Sequence, residues 1–81
     1  MLTEEERKNV RKYLICLREQ RNETQQLVAD SIGLTRQYYQ QIESGDRQKR
    51  MDIVLATKLA DHFGVGVDYI IRQEQAETED T

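Results

Sequence analysis

The apolar residues of this chain of 81 residues recur at spacings of three and four rather than two. In an α-helix such spacing places the apolar side chains on one face, whereas a half-buried strand would need strict alternation. The sequence contains no proline, the residue that interrupts helices most strongly. The pattern therefore predicts an all-α protein, a compact bundle of five helices over residues 3–20, 24–32, 35–44, 51–63 and 67–72.

Capping residues set the limits of these predicted helices. Thr3 followed by Glu6 has the pattern of a capping box and opens the first helix. Thr24 and Thr35 are favourable N-caps for the second and third helices. Glycines, which end helices in a left-handed conformation, follow the next three helices at Gly33, Gly45 and Gly64. The periodic apolar positions, which are the candidates for the core, are Val10, Leu14, Leu17, Leu27, Val28, Ile32, Tyr38, Tyr39, Ile42, Ile53, Val54, Leu55, Leu59, Ala60, Phe63, Val67, Ile70 and Ile71.

The second and third predicted helices are joined only by Gly33, Leu34 and Thr35. Two short helices with so short a connection, and with glycine in the turn, cross steeply instead of lying antiparallel. This arrangement predicts a helix-turn-helix, in which Ala29 must be small because the two helices cross closest there.

Composition excludes several classes of protein. A chain of this length forms one small domain, without room for a large enclosed active site. Cys16 is the only cysteine and His62 the only histidine, so neither a disulfide within the chain nor a Cys/His zinc site is expected. No nucleophile stands with a base and an orienting acid. We therefore expect no enzymatic activity, no cofactor, no metal and no small-molecule ligand.

The first ten residues, MLTEEERKNV, are charged where a signal peptide needs an apolar run. No stretch approaches the roughly 18 apolar residues of a membrane span. The expected location is the cytoplasm, without membrane contact.

The net charge of −3 is unevenly distributed. The last nine residues, QEQAETEDT, hold four acidic residues and no basic one, whereas residues 1–72 hold twelve basic and eleven acidic residues, a net charge of +1. The end of the chain also lacks apolar periodicity. We therefore predict a folded domain over residues 1–72 and an acidic, disordered tail over residues 73–81.

The segment TQQLVADSIGLTRQYYQQIESG, residues 24–45, resembles the signature of the lambda-repressor-like helix-turn-helix proteins, the Cro and Xre-type regulators. The matching positions are Thr24, Gln25, Val28, Ala29, Ile32, Gly33, Leu34, Thr35, Glu43 and Gly45. The resemblance extends over about residues 8–71 and implies a DNA-binding regulator in which Arg18 pairs with Glu43. The sequence departs from the family at Glu23, usually apolar, at Gly66, usually serine, and in a longer loop after Gly45.

In helix-turn-helix proteins the N-terminal part of the second helix of the motif enters the major groove. The outward side chains of that helix, which are the candidates for reading bases, are Arg36, Gln37, Gln40 and Gln41. Residues 46–50, called the basic loop below, supply three candidates for phosphate contact. The candidates for contacting phosphates and positioning the domain are Gln25, Thr35, Tyr38, Arg47, Lys49 and Arg50. Two simpler interpretations stay open, namely that Gln and Arg are good exposed helix formers and that the loop is a solvated charge run.

The resulting hypothesis is a sequence-specific transcriptional regulator, a repressor, that binds double-stranded DNA as a homodimer. The resemblance places the dimer contact on the last helix, at Tyr69, Ile70 and Ile71, with Ile15 and Cys16 as a second choice. The alternative is a protein-interaction module of the same fold, such as an antitoxin that binds a partner protein as well as its operator.

Overall fold

The computed structural model describes the backbone of residues 10–79 and the side chains of residues 10–76. Within this part of the chain there are five helices and no strand, which confirms the predicted all-α class. The helices are α1 (Lys12–Gln20), α2 (Gln25–Ile32), α3 (Arg36–Ser44), α4 (Ile53–Phe63) and α5 (Val67–Glu79). In the main contacts between them, α2 packs on α3 and α5 packs on α4.

The helix-turn-helix forms as the capping residues predict. The hydroxyls of Thr24 and Thr35 accept hydrogen bonds of 3.1 Å from the backbone N–H groups three residues later. Gly33 ends α2 with φ +79°, and the next backbone N–H, that of Leu34, donates to the carbonyl of Ala29 at 2.8 Å. Because each of these signals is local, the limits of α2 and α3 follow from the sequence.

The first helix is shorter than predicted. It begins at Lys12, and its N-cap residue Arg11 has φ −88° and ψ 80°, so residues 3–20 do not form one continuous helix. The cause is a tertiary contact, because the backbone N–H of Arg11 donates to the carbonyl of Glu43 at 2.8 Å. The predicted capping box of Thr3 and Glu6 lies outside the described residues.

The last helix is longer than predicted. Residues 73–79, where the sequence predicts a disordered tail, continue α5 in the structure, while residues 80–81 lie outside the described part of the chain. The carboxylate of Glu74 forms an ion pair with Arg11, with 2.6 Å between Oε2 and Nε, and accepts a hydrogen bond from the Tyr13 hydroxyl. Through these contacts, Glu74 connects the additional part of α5 to Tyr13 of α1 and to Arg11, which precedes α1.

The core contains side chains from all five helices. Its largest fully buried members are Tyr39, Leu14, Ile42, Leu59, Ile70 and Val28. Four candidates for the core are exposed instead, namely Leu27, Ile53, Val54 and Ile71. Asp52 caps α4 through a 2.7 Å bond from the Leu55 N–H, so the helix begins two residues later than predicted. Ile53 and Val54 thus occupy its first turn, on the side away from the core face.

None of the helices described within residues 10–79 is long and apolar enough to cross a membrane.

Candidate nucleic-acid interface

Helix α3 has one buried and one exposed face. Tyr39 and Ile42 are fully buried, and Glu43 is also buried. The predicted base-reading residues Arg36, Gln37 and Gln40 are exposed on the other face. The structure therefore leaves three polar side chains of the first turns of α3 accessible to a ligand.

Gln41, the fourth predicted base reader, is half-buried and already hydrogen-bonded. Its Oε1 accepts a bond of 2.9 Å from Nε of Arg47, a predicted phosphate contact. The guanidinium carbon of Arg47 also lies 5.6 Å from the centre of the Tyr38 ring, within cation–π distance. The structure thus joins the basic loop to the exposed side of α3, which makes one continuous surface of the two.

The basic loop carries two further exposed cations, Lys49 and Arg50. Between them and Arg47 stands Gln48, which has φ +58° and was not singled out by the sequence. Its Nε2 donates to the Tyr38 hydroxyl at 3.1 Å, and its Oε1 accepts from the backbone N–H of Asp52 at 3.1 Å. Gln48 therefore connects α3 to the start of α4.

Two other predicted positioning residues lie at the starts of α2 and α3. Gln25 is half-buried, and its Nε2 donates to Oε1 of Glu43 at 2.9 Å, so its amide is engaged inside the domain. Thr35, at the start of α3, is exposed, but its hydroxyl serves as the N-cap.

The predicted ion pair between Arg18 and Glu43 is present and bidentate. Nε and Nη2 of Arg18 approach the two carboxylate oxygens at 2.7 and 3.2 Å. The hydrogen bond to Glu43 raises the pKa of Arg18, so the guanidinium stays charged. Beside this pair, burial raises the pKa of Tyr39, and the Glu43 carboxylate raises it further, so the phenol stays neutral. The pair ties α1 to α3 behind the exposed surface.

Sequence reasoning missed Arg11, which is buried although it is charged. Its guanidinium donates to the carbonyls of Ile42 at 2.8 Å and Arg47 at 3.1 Å, and also to that of Gln48. No local pattern identifies this role, because the partners lie 31 to 37 positions away in the chain.

His62, the only histidine of the sequence, lies against an acidic side chain. His62 is half-buried, and its Nε2 lies 2.8 Å from Oε1 of Glu23. Glu23 is one of the departures from the family pattern, and Arg21 pairs with the same carboxylate at 3.1 Å. The polar residue at position 23 is therefore matched by polar partners. No group of three or more potential metal ligands exists within the described residues.

Comparison with family profiles matches residues 17–70, more than half of the chain, to the family described as Helix-turn-helix. Comparison with curated proteins and with solved structures gave no significant match. The matched segment contains α2, α3 and the basic loop, and so includes every predicted DNA-contacting residue.

Proposed function

Because this chain belongs to the lambda-repressor-like helix-turn-helix family of DNA-binding transcription regulators, we propose that it reads operator DNA with α3 and represses transcription by occupying the operator. The observation that carries the proposal is the exposed polar face of α3 beside the basic loop. Arg36, Gln37 and Gln40 are exposed there although the opposite face of the same helix is buried. Such an accessible array of hydrogen-bonding side chains is what readout in the major groove requires.

The base-reading residues in this proposal are Arg36, Gln37, Gln40 and Gln41. Arginine forms a bidentate contact with guanine and glutamine with adenine, each contributing about 1–3 kcal/mol of discrimination. Gln41 is supported by Arg47, which orients its amide through the 2.9 Å bond.

The phosphate contacts are assigned to the basic loop and to the starts of α2 and α3. The cations of the basic loop, Arg47, Lys49 and Arg50, would lie along one strand, with Tyr38 beside them. At the start of α2, backbone N–H groups favour an anion beside Gln25, and Thr35 is assigned to a phosphate at the start of α3. Contacts of this kind fix the register of the domain without reading sequence.

The proposal is tested by selecting bound duplexes from a random pool and then comparing two variants on the selected site. Gln37→Ala should lower affinity for the selected site by about 1–3 kcal/mol and leave non-specific affinity nearly unchanged. Lys49→Ala should lower both affinities alike and reduce the salt slope by about one unit per lost phosphate contact. If both variants changed the two affinities in the same proportion, α3 would not be the reading helix.

The alternative function, a module that binds a partner protein as well as its operator, is favoured by one observation. Ile53 and Val54 are 59% and 62% exposed in the first turn of α4, next to the basic loop. Exposed apolar side chains are typical of protein-binding surfaces, whereas the polar face of α3 favours DNA. If the domain also binds a partner protein through this surface, replacing Ile53 and Val54 with glutamine should abolish binding of the partner and leave DNA binding unchanged.

A further inference from the structure

Arg11 connects three parts of the molecule through one guanidinium group. Two of its nitrogens donate to the carbonyls of Arg47 and Gln48, inside the basic loop. Its Nε and Nη2 donate to the carboxylate of Glu74 on α5, at 2.6 and 3.0 Å. Only 5% of the Arg11 side chain is exposed, so these bonds are shielded from water. The last turns of α5 are thus linked to the loop that carries the phosphate-binding candidates.

The basic loop needs such support. Gln48 lies at φ +58°, a conformation that is costly for a residue with a side chain and persists only when its surroundings hold it. Arg11 supplies two of the hydrogen bonds that hold the loop backbone. Glu74 in turn compensates the buried charge of Arg11 and fixes the plane of the guanidinium, with the Tyr13 hydroxyl as a further donor to the carboxylate.

We infer that Arg11 and Glu74 are positioning residues for DNA binding, which hold the basic loop in the conformation that presents Lys49 and Arg50 to phosphates. The inference rests on the proposed function, since it assumes that these cations contact DNA. It also assigns a task to the acidic end of the chain, where Glu74 assists DNA binding although its charge repels DNA.

Replacing Glu74 tests the inference, because the substitution has two effects of opposite sign on DNA affinity. Removing its negative charge should by itself strengthen binding to DNA. Releasing the loop should weaken binding, because only the fraction of molecules with the loop in place would make all phosphate contacts. We expect Glu74→Gln to lower affinity for a non-specific duplex about threefold to tenfold at low salt, measured by fluorescence anisotropy. The matched control is Glu19→Gln, which removes the same charge from an exposed position on α1 and should not weaken binding.

A second variant keeps the charge constant. Tyr13→Phe removes only the hydroxyl that donates to Glu74 and should weaken binding in the same direction, by a smaller factor. Thermal unfolding of each variant sets an assay temperature at which all are folded. Trypsin cleavage after Lys49 and Arg50 reports on the loop without DNA and should be faster in Glu74→Gln.

A double-variant background separates this inference from the proposed function. In Lys49→Ala/Arg50→Ala the loop has lost the two cations that the inference requires, although it keeps Arg47, so adding Glu74→Gln should cause no further loss of affinity. A loss of equal size in both backgrounds, or a Glu74→Gln protein that binds as tightly as Glu19→Gln, would overturn the inference and leave the proposed function intact. A Lys49→Ala/Arg50→Ala protein that binds like the wild type would overturn the role of the loop in the proposed function, and the inference with it.

Discussion

At the scale of single residues, the carboxylate of Glu43 shows how this domain tolerates a buried charge. Glu43 is 3% exposed, and its two oxygens accept from Arg18 twice and from Gln25 once. A buried carboxylate is stable only when such donors replace the water it has lost. The three residues therefore form a unit that joins α1, α2 and α3, and its parts should not be removable independently.

The first prediction concerns this unit. Arg18→Ala and Glu43→Ala should each lower the free energy of unfolding by about 3 kcal/mol, because each leaves a partly or fully buried charge without its partner. The double variant should lose less than the sum of the two. Urea unfolding of the four proteins measures the coupling, and Arg21→Ala, which breaks a more exposed pair, should cost under about 1 kcal/mol. Additive losses at positions 18 and 43 would contradict a coupled pair.

The second prediction concerns the dependence of stability on pH. Burial raises the pKa of Glu23, but hydrogen bonds with His62 and Arg21 lower it by more than burial raises it. The pKa of Glu23 therefore lies below its ordinary value. A carboxylate of this kind adds stability above its ordinary pKa of about 4.5, and this stability is lost as the pH falls through the lowered pKa. Glu23→Gln should therefore show a flatter loss of stability below about pH 4.5, measured by urea unfolding across the acid range.

Two comparisons check the origin of this pH effect. His62→Ala removes one of the two partners of Glu23 and should reduce the loss of stability below about pH 4.5 only in part. If the wild type and Glu23→Gln lost stability equally steeply below that pH, this carboxylate would not be the group responsible.

At the scale of helices, the crossing of α2 and α3 depends on one small residue. Ala29 is fully buried, and its carbonyl accepts the hydrogen bond that closes the turn. At Gly33 a methyl group would meet no atom within 4 Å, so the requirement for glycine there comes from φ +79° and not from crowding. The choice of residue is therefore restricted by side-chain size at position 29 and by backbone conformation at position 33.

The third prediction follows from the restriction on size. Ala29→Leu should lower the free energy of unfolding by about 1–3 kcal/mol through overpacking, and DNA binding should fall with it because α3 is displaced. Thermal unfolding and anisotropy measure the two effects. Gln26→Leu, at an exposed position of the same helix, should change stability by less than about 0.5 kcal/mol. An unchanged melting temperature for Ala29→Leu would contradict the close crossing.

The helices also show which features a sequence can predict. The ends of α2 and α3 were predictable because Thr24, Gly33 and Thr35 act on neighbours within a few residues. The start of α1 and the extension of α5 beyond residue 72 were not, because the first involves the contact of Arg11 with Glu43 and the second that of Arg11 with Glu74, which lies 63 positions away. Apolar periodicity likewise could not show that Ile53 and Val54 lie in an exposed first turn.

The same distinction applies to the candidate site. Outward positions on α3 follow from helical spacing, so Arg36, Gln37 and Gln40 were predicted as accessible, and the structure places them so. The engagement of Gln41 by Arg47 and the role of Gln48 arise from the path of the basic loop. That path has no periodic pattern, so the sequence does not reveal it.

At the scale of the whole molecule, one domain presents few base-reading residues, and specific operators are normally read by two subunits. The dimer contact predicted on α5 has to be revised, because Ile70 is fully buried and cannot contact another subunit. Tyr69 and Ile71 are 39% and 38% exposed on the same helix and remain the candidates. The second choice is on α1, where Ile15 is half-buried and Cys16 is exposed.

The fourth prediction distinguishes these two surfaces. If α5 joins the subunits, Ile71→Gln should reduce cooperative binding to an operator with two half-sites about one DNA turn, or ~34 Å, apart, since the contact between the bound subunits is weakened. Affinity for a single half-site should fall much less, because Ile71 lines one groove with Lys49 and Arg50 but is not itself among the residues proposed to contact DNA. Cys16→Gln is the matched variant on α1 and should leave cooperativity intact. Footprinting on operators with one and two half-sites measures both effects.

Two outcomes would contradict an interface on α5. Loss of cooperativity in Cys16→Gln alone would place the interface on α1. A wild-type footprint over one unrepeated half-site would show that the protein reads DNA as a monomer.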